Sequence, residues 1–252
     1  MSNERRRSII LWGPPDSGKS LYLTSLVMWL TRERDERPFA IVPADDASAM
    51  WVAHRSAPHV DGVVLTPAAA PAGATPVFRI YSIAEPADAS GRRSSLVAEL
   101  IPSEAGAGDP VPARLNEADG VMLLLPVATM AASAEVRDAC VTWLTTALAR
   151  LPERGSAPPA VSIPVAVCLT QTDETPDAVR RDPVRWLDTF GSEPMSALRA
   201  HCAHFALFKI SSLGRSPRRR DGEDVLVGTP EPRGVLAPIR WILADHAEEA
   251  AA

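Results

Sequence analysis

The sequence predicts an α/β protein built as a three-layer sandwich, in which helices cover both faces of a mostly parallel central sheet. Strand-like and helix-like segments alternate along the 252 residues, a pattern typical of parallel sheets with helical crossovers. Two continuous apolar runs, residues 120–126 and 164–169, have the composition of strands that are buried on both faces. Between the first predicted strand and the first predicted helix, residues 13–20 form a loop of the type that binds phosphate.

The N-terminal elements surround this loop. Residues 8–12 are apolar and predict a short strand that runs into it, and residues 21–30 continue from it as a helix. Residues 38–43 predict a second strand, and residues 47–55 predict a second helix. Residues 58–75 are rich in proline and alanine, and predict a loop.

The later elements complete one predicted domain. Residues 77–83 and 94–101 predict an antiparallel strand pair at one edge of the sheet. Residues 135–151 predict a helix, because their apolar residues recur at helical spacing. The remaining predicted elements are a strand at 205–210 and helices at 183–205 and 235–249. No internal repeat is visible, so residues 1–252 are expected to form a single domain, with flexible segments at 1–6, 215–232 and 247–252.

The phosphate loop reads Gly-Pro-Pro-Asp-Ser-Gly-Lys-Ser and has the complete G-x-x-x-x-G-K-[ST] form. Its glycines allow successive backbone N–H groups to point at anionic oxygens, and Lys19 is expected to reach the β- and γ-phosphates. The Ser20 hydroxyl is expected to ligate Mg²⁺. The predicted nucleotide contacts of this loop are Gly13, Pro14, Asp16, Ser17, Gly18, Lys19, Ser20 and Leu21. A surface turn without a ligand is the alternative.

The lysine content supports a chemical role for Lys19. The chain holds 26 Lys plus Arg, of which only Lys19 and Lys209 are lysines. A sequence that otherwise uses arginine therefore places a compact ammonium group where a phosphate loop requires one. Binding of a nucleoside triphosphate is the predicted function of the loop.

Composition narrows the remaining classes of function. The net charge of −5 argues against nucleic-acid binding through overall charge, and no apolar run reaches the length of a membrane span. The N-terminal residues lack the apolar stretch of a secretory signal. Cys140, Cys168 and Cys202 lie among apolar neighbours and are expected to be buried thiols in a reducing cytoplasm. The surplus of Ala, Arg and Pro suggests a bacterial source with GC-rich DNA.

The order of the motifs resembles that of the translation-factor-related (TRAFAC) P-loop GTPases. A loop carrying Thr66 follows the phosphate loop, one later strand ends in Thr-Gln-Thr-Asp at 170–173, and another ends in Ser-Ser-Leu at 211–213. In that class the fourth motif is Asn/Thr-Lys-x-Asp and the fifth is Ser-Ala-Lys or similar. The resemblance implies a small-GTPase-like fold that binds GTP or GDP with Mg²⁺.

Three segments resemble more narrowly the double-GTPase type, which occurs in bacterial conflict and signalling gene clusters. They are residues 13–26, 43–48 and 230–241. This resemblance implies that the partners are other proteins of the same gene cluster, with neither a membrane nor a nucleic acid as a direct partner.

The fourth and fifth motifs supply the candidate base-binding residues. The carboxylate of Asp173 can accept hydrogen bonds from guanine N1–H and from the exocyclic amine, a pattern that adenine does not offer. By the resemblance, Thr170 belongs to the same motif, Gln171 replaces the lysine that braces the phosphate loop, and Ser211 or Ser212 places a backbone N–H near guanine O6. Alternatively, residues 170–173 form a polar turn in which the aspartate caps a helix.

The resemblance also places the residues that would contact the γ-phosphate. Thr66, with Thr75 as the alternative, corresponds to the threonine that contacts Mg²⁺ and the γ-phosphate, although it is equally consistent with a solvent-facing loop residue. Gly106 corresponds to the glycine of the third motif, Asp-x-x-Gly, unless residues 106–108 are an unrelated loop. Ser103 stands where that motif has its aspartate, and the neighbouring Glu104 is a possible substitute.

Hydrolysis is the least determined property. Gln171 is the only glutamine in the chain, so no glutamine can position water after the third motif. Hydrolysis then requires Glu104, Asp109, a histidine or a residue of a partner, or it does not occur at a useful rate. The leading hypothesis is a GTP-binding switch or assembly component with slow or partner-dependent hydrolysis. A degenerate nucleotide-binding scaffold and an ATP-dependent enzyme such as a small kinase are the alternatives.

Overall fold

A computed structural model describes residues 7–32, 39–60, 76–83, 94–102, 114–153, 161–175, 177, 181–189, 193–220, 223–225 and 230–244. The strands are β1 (Arg7–Trp12), β2 (Phe39–Pro43), β3 (Phe78–Ile83), β4 (Ser94–Pro102), β5 (Gly120–Pro126), β6 (Val165–Thr170), β7 (Phe205–Lys209), β8 (Arg218–Arg220) and β9 (Glu223–Val225). The helices are α1 (Lys19–Arg32), α2 (Asp46–Val60), α3 (Val127–Ala132), α4 (Ala134–Leu148), α5 (Pro183–Asp188), α6 (Glu193–His201) and α7 (Ala237–Leu243).

Strands β1 to β7 form one sheet in the order β2-β3-β4-β1-β5-β6-β7. The neighbours β4-β1-β5-β6-β7 are all parallel, whereas β3 is antiparallel to both β2 and β4. The predicted α/β class with a mostly parallel sheet is confirmed. Because the strands from β4 to β7 run in one direction, their carboxyl ends, and the loops that follow, meet at a single edge of the sheet, where open α/β sheets bind ligands.

The predicted pairing of β3 with β4 is confirmed, but its predicted place at the sheet edge is wrong. β2 pairs along the outer side of β3, from Phe39 opposite Ser82 to Pro43 opposite Phe78, and itself occupies the edge. Pro43 lacks a backbone N–H and therefore suits the end of an edge strand. The β2–α2 unit thus widens the sheet on the side away from β7.

Two apolar layers bury the central strands, as a three-layer sandwich requires. Ile10 and Trp12 of β1 pack toward α3, α4 and α6, whereas Ile9 and Leu11 pack toward α1, α2 and α7. The same alternation of sides occurs in β5 and β6, and every residue of both strands is buried. Burial on both faces explains why these two strands appear in the sequence as continuous apolar runs instead of alternating ones.

Several predicted boundaries differ from those observed. Helix α2 extends to Val60, so the predicted loop at 58–75 begins later, and residues 61–75 lie outside the described part of the chain. The predicted helix at 183–205 is two helices, α5 and α6. The closing helix ends at Leu243 because Ala244 has an extended conformation, and Arg7 Nη1 donates to the carbonyls of Ile242 and Leu243 at 3.2 Å.

The three cysteines are buried and free, as predicted. Burial raises the pKa of each thiol, to about 12 for Cys202. They therefore stay protonated and act as packing residues of the two core layers. Among the described residues, no helix combines the length and the apolar character needed to cross a bilayer.

Candidate nucleotide-binding site

The phosphate loop connects the buried end of β1 to the first turn of α1. Two of its residues adopt left-handed backbone conformations, Asp16 at φ 58° and Gly18 at φ 82°. The Ser17 N–H donates to the Pro14 carbonyl at 3.3 Å and closes the turn, and the Tyr22 N–H donates to the Gly18 carbonyl at 2.8 Å and begins the helix. The chain therefore curls around a concave backbone surface at the positive end of α1, an arrangement suited to an anion.

Lys19 lies inside this loop and not in solvent. Its side chain is directed back along the loop, and Nζ donates to the carbonyl oxygens of Gly13 at 2.9 Å and Pro14 at 3.0 Å, and to Ser17 Oγ at 3.4 Å. The residue is only 6% exposed. These three acceptors are neutral oxygens, and they orient the ammonium group within the loop. A buried cation of this kind strongly favours an anionic ligand.

Ser20 and Leu21 occupy the first turn of α1 and are half-buried. The Ser20 carbonyl accepts a hydrogen bond from Thr24 Oγ1 at 2.9 Å, which secures this turn of the helix. A serine hydroxyl at this position could coordinate Mg²⁺, which takes oxygen ligands. Among the described residues, no group of three or more His, Cys, Asp or Glu side chains is arranged to hold a metal ion.

Thr170 and Gln171 fasten the fourth motif to the phosphate loop. Thr170 Oγ1 donates to the Ser17 carbonyl at 2.7 Å and lies 3.1 Å from the Leu125 carbonyl. Gln171 Nε2 donates to the Asp16 carbonyl at 3.2 Å, and its Oε1 accepts from Thr129 Oγ1 at 3.1 Å. Gln171 itself is left-handed, at φ 61°. A contact between Gln171 and the phosphate loop, inferred from the family resemblance, is therefore present, although a neutral amide makes it.

Thr129 is a contributor that the sequence does not reveal. It lies in α3, a short helix that directly follows β5 and that the sequence pattern does not predict. Its hydroxyl orients the Gln171 amide so that the NH₂ group points at the phosphate loop. The only available signal was a polar residue shortly after a buried strand, and that signal occurs in most α/β proteins.

Asp173 lies just beyond the carboxyl end of β6, half-buried, with its Oδ2 atom out of contact with solvent. Thr172 connects this turn to the end of β7, because its N–H and Oγ1 donate to the Ile210 carbonyl at 3.3 and 3.0 Å. The Asp173 carbonyl accepts from Ser216 Oγ at 2.6 Å. The fourth motif is thus held between the phosphate loop on one side and the loop after β7 on the other.

The two candidate serines after β7 have different environments. Ser211 exchanges backbone hydrogen bonds with Arg233, and its Oγ accepts from the Gly214 N–H at 2.7 Å. No described residue accepts a hydrogen bond from the Ser212 N–H. Since the donor of Ser211 is already used within the protein, Ser212 is the better placed of the two to offer a backbone N–H to a ligand.

The structure thus brings together the predicted phosphate and base residues at one edge of the sheet. The predicted γ-phosphate residues, Thr66 and Gly106, lie outside the described residues. So do the alternatives and substitutes considered with them, which are Thr75, Ser103, Glu104 and Asp109. Their roles remain predictions.

Comparison with known proteins finds similarity among solved structures. The sequence matches no protein-family model and no curated protein sequence. The GTPase-like domain of Ski7 from S. cerevisiae, solved with GTP bound, superposes with a TM-score of 0.50 at 12% identity, over 94% of this chain and 49% of that one. A putative nucleolar GTP-binding protein 1 from Plasmodium falciparum has a TM-score of 0.46 at 9% identity, over 99% of this chain and 92% of that one. The Arl6 small GTPase from Trypanosoma brucei, solved with GppNp, has a TM-score of 0.43 at 10% identity, over 98% of each chain.

The chain therefore has an α/β fold of the P-loop GTPase type. This conclusion rests on the strand order, on the phosphate loop between β1 and α1, and on the superposition on the Ski7 domain. At these identities the likeness concerns the fold.

Proposed function

We propose that the protein is a GTP-binding switch or assembly component of a bacterial multiprotein system, of the double-GTPase type, acting in the cytoplasm. The observation that carries the proposal is the contact between two loops: Thr170 and Gln171 fasten the Asp173 turn to the phosphate loop. A single ligand with a polyphosphate at one end and a planar base at the other spans such a pair of loops.

Phosphate binding follows from the charges of the loop. Lys19 places a buried positive charge in the loop, where two carbonyl oxygens and a hydroxyl orient it, and the start of α1 adds its partial positive charge. A triphosphate satisfies both groups. Mg²⁺ is expected beside Ser20, where it neutralises charge between the β- and γ-phosphates, with Thr66 as the expected second protein ligand.

Guanine recognition follows from the donors and acceptors at the other end. The Asp173 carboxylate can accept from N1–H and from the 2-amino group, and the Ser212 N–H can donate to O6. Adenine has an acceptor at N1 and a donor at C6, so it opposes both contacts. The half-buried position of Asp173 strengthens these hydrogen bonds relative to those made in water.

A nucleotide titration tests this proposal directly. GTP, GDP and ATP are titrated into the full chain with and without Mg²⁺ while binding heat or the fluorescence of a labelled nucleotide is recorded. We expect GTP and GDP to bind at least tenfold more tightly than ATP. A tenfold difference corresponds to about 1.4 kcal/mol, and the two hydrogen bonds to the base should contribute more than this. Mg²⁺ is expected to strengthen GTP binding more than GDP binding. Equal affinity for GTP and ATP contradicts the guanine assignment.

A second function, a nucleotide-binding scaffold that does not hydrolyse GTP, is favoured by the position of Gln171. The only glutamine of the chain is engaged with Thr129 and with the phosphate loop, so it cannot orient an attacking water. In the switch, by contrast, a partner from the same gene cluster supplies the missing catalytic group. Switch and scaffold differ in whether hydrolysis reports on assembly.

Slow hydrolysis is therefore expected of the isolated chain. Phosphoryl transfer requires a fixed Mg²⁺, an oriented water and a neutralised γ-phosphate, and the described residues supply only the loop, Lys19 and Ser20. Single-turnover hydrolysis of γ-labelled GTP should be far slower than ~1 s⁻¹, the lower range of assembled phosphoryl-transfer sites. A rate of this order or higher would reveal a complete catalytic apparatus within the chain. Acceleration by a partner of ~10³-fold or more would identify the activating protein.

A further inference from the structure

The loop that would read the base is not free-standing, because a second stretch of chain runs beside it. Residues 230–235, here called the return segment, come back antiparallel to residues 211–213. The Ser211 N–H donates to the Arg233 carbonyl at 3.0 Å, and the Arg233 N–H donates to the Ser211 carbonyl at 2.8 Å. The Glu231 N–H donates to the Leu213 carbonyl at 2.9 Å. These three bonds fix the backbone on both sides of Ser212.

The approach of the two chains is too close for a side chain at Gly214. This residue has φ +77°, and a Cβ placed on it would lie 1.9 Å from the Glu231 carbonyl oxygen. Glu231 also forms an ion pair with Arg215, whose Nη2 lies 2.9 Å from Glu231 Oε1. The turn after Ser212 therefore follows the return segment closely, and a shift of one displaces the other.

The same turn reaches the aspartate that would bind guanine. Ser216, two residues after Gly214, donates its hydroxyl to the Asp173 carbonyl at 2.6 Å. At the far end of the return segment, the Val235 carbonyl accepts from the buried Tyr22 hydroxyl at 2.7 Å, and Tyr22 lies in α1 shortly after the phosphate loop. The return segment is thus tied to the loop after β7 and to the phosphate-binding helix, and the loop after β7 reaches the Asp173 turn through Ser216.

We propose that Gly214, Ser216 and the return segment are positioning elements that set base selectivity, by holding the Ser212 N–H and the Asp173 carboxylate at a fixed separation. This inference rests on the proposed binding of guanine nucleotides. Neither Gly214 nor Ser216 needs to touch the base. Their role is to keep a donor for O6 and an acceptor for N1–H and the 2-amino group at the spacing of one purine edge, since hydrogen bonds weaken steeply outside a narrow range of distance and angle.

The test compares three nucleotides on the full chain. GTP offers every contact, ITP lacks the 2-amino group, and ATP reverses the pattern at N1 and C6. We expect Ser216→Ala to lower the GTP-to-ATP affinity ratio about two- to tenfold, the range of one net hydrogen bond, while ATP affinity stays unchanged. Gly214→Ala should lower that ratio by at least as much and should also bring GTP and ITP closer together.

Matched variants separate positioning from general stability. Ser216→Thr keeps the hydroxyl and should retain the selectivity of the original chain. Thr146→Ala removes a hydroxyl that donates to a backbone carbonyl at 2.8 Å in α4, away from the base loops, and should leave the ratio unchanged. Thermal melting of each variant is measured alongside. A role confined to stability would lower the melting temperature and weaken all three nucleotides equally.

The outcomes distinguish the two proposals. A guanine preference in the original chain that survives both Ser216→Ala and Gly214→Ala overturns the positioning role alone. Equal binding of GTP and ATP by the original chain overturns both the positioning role and the proposed function. Loss of selectivity in the two variants with full rescue by Ser216→Thr supports the positioning role.

Discussion

Replacing Lys19 with alanine is expected to abolish triphosphate binding while leaving the fold intact. The side chain is the buried cation of the phosphate loop, and each of its hydrogen bonds to a charged phosphate should contribute about 1.5–3 kcal/mol. The loss of two such bonds corresponds to a fall in affinity of roughly 10²- to 10⁴-fold. Isothermal titration with GTP and Mg²⁺ measures the loss, and circular dichroism with a thermal melt verifies the fold.

Lys209 provides the matched control, because it is the only other lysine of the chain and its side chain is exposed at the end of β7. Lys209→Ala should bind GTP as the original chain does. The substitution at Lys19 is also expected to spare folding, because the three oxygens that it contacts are carbonyls and a hydroxyl whose loop is held by other bonds as well. Normal affinity in a folded Lys19→Ala variant would exclude the loop as the phosphate site.

Replacing Asp173 with alanine is expected to weaken GTP binding by about one to two decades. The substitution removes a carboxylate that accepts from two base donors, and the expected net loss is that of one charge-assisted hydrogen bond, about 1.5–3 kcal/mol, because water replaces part of the bonding at this half-buried position. ATP affinity should change little, because adenine offers no such donor pair. The affinities of GTP, ITP and ATP measured side by side give the result as a collapse of the guanine preference.

Asp138→Ala serves as the comparison for Asp173→Ala. Asp138 lies on α4, is 77% exposed and pairs with Arg137 at 3.6 Å, so its removal also deletes one negative charge. An equal effect of both substitutions would point to overall charge as the cause. If Asp173→Ala lowers GTP and ATP affinity by the same factor, the aspartate acts on folding or on the phosphates and not on the base.

The class of fold and the place of the phosphate loop between β1 and α1 were accessible from the sequence because both depend on local pattern. The G-x-x-x-x-G-K-[ST] spacing between a strand and a helix needs no tertiary information, since all its groups come from eight consecutive residues. The strands β5 and β6 were recognisable for a similar reason: burial on both faces requires an uninterrupted apolar run. Thr170, Gln171 and Asp173 were predicted as site residues because their motif is contiguous, and their role in binding a base stays a prediction.

The elements that sequence analysis misplaced depend on neighbours that are distant along the chain. Whether β3 lies at the edge depends on whether β2 pairs with it, and the pattern of Phe39–Pro43 does not specify that partner. The last carbonyls of α7 accept hydrogen bonds from Arg7, more than 230 positions earlier, and the local sequence of the helix does not specify that contact. The local propensities of residues for helix or strand do not depend on either of these long-range contacts, so they cannot predict them.

The sequence by itself determined the α/β class and the position of the phosphate-loop motif at residues 13–20, because local spacing and composition carry that information. Only the tertiary structure decided how the site is held together. Thr129 orients Gln171, Ser216 reaches the Asp173 carbonyl, and the use of Ser211 by Arg233 leaves Ser212 to offer its N–H. Each of these hydrogen bonds joins segments at least 20 residues apart, and a hydrogen bond depends on distance and angle in space, which sequence separation does not specify.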